Sequence, residues 1–221
     1  MPESKNDMRV GSIHKTKEFG FIQVVEYVNA FKVLVRFPDT GYELWALAGN
    51  VRKGELKDKL KPIVYGVGFM GDGVHSSTKK GKANKAYKVW QSMLQRCYDP
   101  AFHLRRPTYI GCSVCNDWHN FQIFADWFEV NYPRDGMRYQ LDKDIIKEGN
   151  KVYSPTTCKF VTLKENTEKS SAKTHKFITP NGECISIYNL VEFCKENNLN
   201  HNAMRKLGNG RNKSHKNWRR A

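Results

Sequence analysis

Acid is the first thing this chain is short of: 22 Asp+Glu stand against 37 Lys+Arg, a formal charge of +15 in 221 residues. After Glu196 there is no acid at all, while Arg205, Lys206, Arg211, Lys213, Lys216, Arg219 and Arg220 follow. Such a surplus draws polyanions and speeds encounter with them without specifying a fold. No apolar run is long enough to span a bilayer, so a membrane partner is not expected. The opening, MPESKNDMRV, is polar and has no signal-peptide pattern, which leads to the expectation of a cytoplasmic protein. Paired cysteine knuckles are missing too. Of six cysteines, only Cys112 and Cys115 have a two-residue gap, so a structural zinc site needs Cys97 and Cys158 to join them from far along the chain. The alternative is that these are buried free thiols acting as small hydrophobes.

What is present is enough apolar and aromatic residue, 39% and 12%, to build packed cores. The fold class expected is α+β in three parts. Residues 1–75 read as a small SH3-like β-barrel: GFIQVVEYV and FKVLVRF are β-branched and aromatic runs, PDTG supplies a turn, and YELWAL continues as a third strand. Nothing in that part names a protein partner. The glycine-rich stretch GVGFMGDGVHSSTKKGKANK has the composition of an exposed, flexible joint. From Lys79 to Arg106 the chain carries Lys79, Lys80, Lys82, Lys85, Lys88, Arg96, Arg105 and Arg106 against Asp99 alone, which favours phosphate contact over a merely solvated linker.

Residues 76–172 form the second part. Tyr87, Trp90, Leu94 and Cys97 recur at helical spacing, stopped by Asp99-Pro100; Phe121, Phe124, Trp127 and Phe128 give a second helical stripe. Arg138–Ile145 reads as a strand ending in Asp142 and Asp144, and Cys158–Lys169 as a strand running into a short helix. Residues 173–221 form the third part: a hairpin turning at Pro180-Asn181-Gly182, a helix capped by Ser186, and a second helix capped by Asn200 and ended by Gly208. Two helices joined by a short turn match a helix-turn-helix, and Asn202 with Arg205 suit adenine and guanine edges.

The middle part, Tyr87 to Asn166, resembles the phage and mobile-element HNH-type, homing-like endonucleases with an AP2-like/HNH core. The matching positions are Trp90, Met93, Arg96-Cys97, Tyr109, Gly111, Val114-Cys115, Trp118, Phe121, Phe124, Leu141-Asp142-Lys143, Tyr153, Pro155, Cys158, Phe160, Thr162 and Glu165-Asn166. The C-terminal part resembles the helix-turn-helix repeats that end such enzymes. The resemblance implies a ββα-metal site holding Mg²⁺ or Mn²⁺, with Asp142 and Asn166 as ligands, Asp144 as a neighbouring carboxylate, and nicking or cleavage of double-stranded DNA. The chain departs from that pattern where the general base belongs: Lys143 stands in place of the histidine. A lysine is charged at neutral pH and donates rather than accepts. It can neutralise phosphate as a point charge. Two expectations follow from the resemblance, a metal-dependent endonuclease using Asp142, Lys143, Asp144 and Asn166, or a catalytically inactive DNA-binding protein or repressor on the same scaffold. Charge alone adds RNA binding as a third.

Overall fold

A computed structural model describes residues 6–166 and 174–221 as two compact units, Met1–Tyr132 with Leu141–Lys159 and Pro133–Gln140 with Phe160–Ala221. The expected helical run to Lys169 and the boundary at Lys173 therefore lie partly outside the described residues. Both units mix helices and strands, and no helix of the described residues is long and apolar enough to cross a membrane.

The first unit opens with an antiparallel meander: β1 (Ile13–Lys15), β2 (Phe21–Asn29), β3 (Lys32–Arg36) and β4 (Glu43–Ala46), in that spatial order. Alternation drives it. In β3, Val33 and Val35 are buried between exposed Lys32 and Arg36, and the buried set pools with Met8, Ile22, Val24, Phe37 and Val51. The sheet stays open. Its edge strands are only three and four residues long, and the chain leaves β4 into a short helix, α1 (Ala48–Lys53), whose Val51 is fully buried in the same core. Where a small SH3-like barrel was expected there is thus an open four-stranded sheet, its core completed by a helix.

The glycine-rich joint is not loose either. Gln122, itself buried, accepts from the His75 N–H at 2.8 Å and donates to the carbonyls of Met70 and His75 at 3.0 Å each. Gly71 has φ +70° and leaves no room for a Cβ, which would collide with the Asn120 side chain. The basic stretch after it forms a hairpin, β5 (Thr78–Lys79) with β6 (Lys82–Ala83). Helix α2 (Lys85–Tyr98) follows, with the Asn84 side chain accepting from the Ala86 N–H. It buries Ala86, Trp90, Met93, Leu94 and Cys97 as the spacing predicts. Trp90 donates its indole N–H to the Trp118 carbonyl at 2.7 Å and lies 5.4 Å, centroid to centroid, from Phe121. Phe121 opens α4 (Phe121–Asn131), after α3 (Pro100–Arg105), so the two aromatic stripes are core against one another.

The run from Thr108 to Cys115 is extended over only two residues. Pro107–Tyr109 is a 3₁₀ turn and only Ser113–Val114 (β7) is extended. Strand β8 (Tyr139–Asp142) comes next in the chain, then β9 (Val152–Tyr153), which pairs with β7 in parallel, Val114 opposite Tyr153. Strand β10 (Lys159–Thr162), like β8, straddles the division between the units.

The second unit contains an antiparallel hairpin, β11 (His175–Ile178) and β12 (Cys184–Ile187), with Ile178 opposite Cys184. Helices α5 (Leu190–Glu196) and α6 (His201–Gly208) pack on it. A last strand, β13 (Arg219–Arg220), returns to pair with β11, placing Arg220 opposite Phe177. Phe177, Ile187, Leu190, Cys194, Met204 and Leu207 form the core, and Trp218 packs on it 5.5 Å from Phe193. The N-cap of α5 is Asn189, whose side chain accepts from the Glu192 N–H; Ser186 lies earlier, within β12. Asn200 caps α6 as expected, accepting from the Ala203 N–H at 3.0 Å.

Candidate nucleic-acid interface

Helix α6 has two sides of different chemistry. Met204 and Leu207 point into the core, while Asn202, Arg205 and Lys206 are exposed. Arg211, Lys213 and Lys216 continue outward from it, also exposed, with Lys216 donating to the Asn198 carbonyl at 3.0 Å across the inter-helix turn. Arg219 and Arg220 are exposed on β13. The acids of this stretch, Glu192 and Glu196, are on α5. One helix and the tail that follows it thus present donors and positive charge without local carboxylates to neutralise them.

In the first unit, Lys79, Lys80 and Lys82 are exposed on the β5–β6 hairpin, and Lys85 is exposed at the start of α2 with its ammonium 3.9 Å from the Tyr132 ring centroid. Arg105 and Arg106 are exposed at the end of α3. Arg96 differs from all of these: it is partly buried, 5.8 Å from the Tyr109 ring centroid, and points one N–H at the Leu141 carbonyl at 3.5 Å. Burial opposes its charge most strongly. The neighbouring phenols of Tyr153 and Tyr109 offset that, and its pKa ends above the ordinary arginine value.

The expected catalytic cluster is a hydrogen-bonded turn. Asp142 Oδ1 accepts from the backbone N–H groups of Asp144 and Ile145 at 2.6 and 2.7 Å. Lys143 is 7% exposed, which makes it core-facing rather than solvent-facing. Its ammonium donates to Asp144 Oδ1 and to the Asn150 carbonyl, both at 2.7 Å. Asn150 closes the loop by donating to the carbonyls of Lys143 and Val152 at 2.9 and 2.6 Å. Nothing in the sequence marks Asn150, and only the 7-residue return to Lys143 reveals it as a clamp. Asn166 belongs to the second unit, where its amide donates to Gln140 Oε1 at 2.6 Å.

Among the described residues no group of three or more His, Cys, Asp or Glu is placed to hold a metal ion. Of the acids at the turn, one has an oxygen engaged by two backbone N–H groups and the other is neutralised by an ammonium. As it stands, that donor set does not fit a divalent cation. Neither does the cysteine set form a zinc site: Cys97, Cys112 and Cys158 are buried free thiols and Cys115 is partly buried. Burial, reinforced for Cys97 by the Cys112 thiol and countered by Lys143 and Arg96, pushes Cys97 up to about 12. Burial likewise pushes Cys158 up to about 12, against hydrogen bonds from Ser154 and Thr157.

His119 sits 3.2 Å from the Tyr98 hydroxyl, its pKa lowered by burial, in the packing between α2 and the turn before α4.

No protein-family model matches this chain. No curated protein matches it. Among solved structures, one described as DNA binding and cleavage by the HNH homing endonuclease I-HmuI matches over 45% of this chain and 66% of that one, at 18% identity and a TM-score of 0.23. A likeness at that level carries no argument about what this chain does.

Proposed function

We propose that this chain is a duplex-DNA-binding protein on an HNH-like scaffold, reading its site through α6 and binding without cutting. The observation that carries the reading is the exposed face of α6, where Asn202, Arg205 and Lys206 stand over a fully buried Met204 and Leu207. A helix anchored on one side and donor-rich on the other suits insertion into a major groove, where Asn and Arg pair with adenine and guanine edges. Arg211, Lys213 and Lys216, with Lys79, Lys80, Lys82, Lys85, Arg105 and Arg106, supply sequence-independent attraction to phosphates.

The absence of scission follows from the chemistry of the Asp142–Asp144 turn. Activating water needs a group that accepts a proton. The residue in that position, Lys143, is buried and donates to two oxygens. One observation favours the competing reading of Mg²⁺- or Mn²⁺-dependent nicking: Asp142 is only partly buried, and its second oxygen, Oδ2, has no hydrogen-bond partner among the described residues.

Both readings are tested by one experiment, binding and nicking of a supercoiled plasmid with Mn²⁺ or EDTA. Binding without metal-dependent nicking supports the proposal, and nicking that disappears in Asp142→Asn replaces it with the nuclease. Competition by RNA that matches or exceeds duplex DNA of equal length would overturn both.

A further inference from the structure

Partly buried charges in proteins are ordinarily paired, because desolvation is costly unless an opposite charge offsets it. Arg96 breaks that pattern. Among the described residues its partners are all neutral: the Leu141 carbonyl at 3.5 Å, the Tyr109 ring at 5.8 Å and the Tyr153 phenol. The nearest acid along the chain, Asp99, accepts from the Gln95 amide and the Ala101 N–H, and the acids that follow Leu141 are engaged too, Asp144 with the Lys143 ammonium and Asp142 Oδ1 with its own turn. Lys143, paired with Asp144, lies 5.9 Å from the Tyr153 ring centroid. The loop that carries Tyr109 is bordered by exposed Arg105 and Arg106, and Lys151 donates to the Thr108 carbonyl at 3.0 Å.

We propose that Arg96 is a phosphate subsite that takes one backbone phosphate of bound duplex DNA, an inference resting on the DNA-binding role above. A guanidinium has five N–H donors in a planar fork, matched to two oxygens of a phosphate. One of those donors faces a protein carbonyl. The Tyr109 ring and the Tyr153 phenol fix the plane of the fork, and partial burial strengthens a charge-assisted hydrogen bond relative to the exposed lysines. Arg96 is then a specific, oriented contact within an otherwise diffuse field of cations.

The test uses the full wild-type chain and an arginine-selective dicarbonyl reagent, read site by site by mass spectrometry. Three samples are compared: free protein, protein with duplex DNA, and protein with inorganic phosphate at matched ionic strength. Arg96 is expected to react in the free protein and to lose that reactivity on adding duplex, with or without protection by inorganic phosphate. Protection by inorganic phosphate but not by duplex, or an Arg96 that duplex leaves unchanged, overturns the inference.

In parallel, Arg96→Gln is expected to lower the salt slope of binding, log K against log[salt], by about 0.9. Arg96→Lys, which keeps the charge, is expected to retain the slope. A folded Arg96→Gln with the wild-type slope overturns the subsite. If that variant does not fold, the wild-type footprint decides alone. A wild-type chain that shows no duplex binding refutes the DNA-binding role itself, an outcome distinct from a bound complex with an unprotected Arg96.

Discussion

Replacing Lys143 with Met removes an ammonium that is 7% exposed and bonded to Asp144 and the Asn150 carbonyl. Methionine keeps most of the stem volume, so the packing loss is small. The Asn150 carbonyl loses one donor but still belongs to a loop held by its own side-chain amide. The Asp144 side chain is 39% exposed, so water takes up its charge and the ion pair itself contributes little. Two hydrogen bonds to a charged donor, discounted for that exposure, come to roughly 1.5–3 kcal/mol. In a chain of this size that is a fall in Tm of about 3–12 °C. Duplex affinity at fixed salt is expected to stay within about threefold, because an ammonium turned inward neutralises no phosphate directly. Differential scanning calorimetry and fluorescence anisotropy on the same preparation measure both. An unchanged Tm with a large loss of DNA affinity would show that Lys143 faces the ligand, and the structural role assigned to it would be wrong.

Further outcomes follow from other parts of the chain. Gly71→Ala forces a side chain into a left-handed backbone and against Asn120, and should cost at least about 2 kcal/mol in denaturant unfolding; a cost under about 0.5 would mean the glycine-rich segment is not held there. Asn200→Ala removes the cap of α6 and should destabilise the C-terminal unit by about 1 kcal/mol, read as faster amide exchange in α6, whereas Ser186→Ala should leave α5 unchanged because Asn189 caps it. Cys97 and Cys158 are both pushed up to about 12 from an ordinary value of 9.0. The unfolded thiols therefore lose their protons first, and stability present in full below pH 9 falls as pH rises from 9 to 12. Native alkylation should accordingly label exposed Cys184 well before Cys97 or Cys158; early labelling of Cys97 would contradict its burial.

The helices were the most legible part of the sequence because their signals are local. Trp90, Met93, Leu94 and Cys97 repeat within one turn or two, and they are the residues α2 buries. Asn200 announces α6 three residues from the N–H it caps. What stayed illegible depends on partners far along the chain. Composition made Gly66–Lys85 a flexible joint, yet Gln122, 47 residues from His75, holds it with three hydrogen bonds. Strand β13 is two residues of Arg, with no strand signal of its own, and exists because β11 offers it an edge. The candidate site divides the same way. The residue types at Asp142, Lys143 and Asp144 are plain in the sequence, but the inward turn of the Lys143 ammonium is set by Asn150.

The measurement that tests binding without scission most directly is a plasmid assay in which occupancy and strand integrity are read from the same tube. Asp142→Asn is the companion variant, because an amide oxygen can still accept from Asp144 and Ile145 while the carboxylate charge is gone. The expected result is salt-sensitive binding by both proteins, with supercoiled DNA intact in Mn²⁺ and in EDTA alike. Nicking by the wild type in Mn²⁺, absent in EDTA and absent from Asp142→Asn, would contradict it and make this chain an endonuclease that works without the usual histidine.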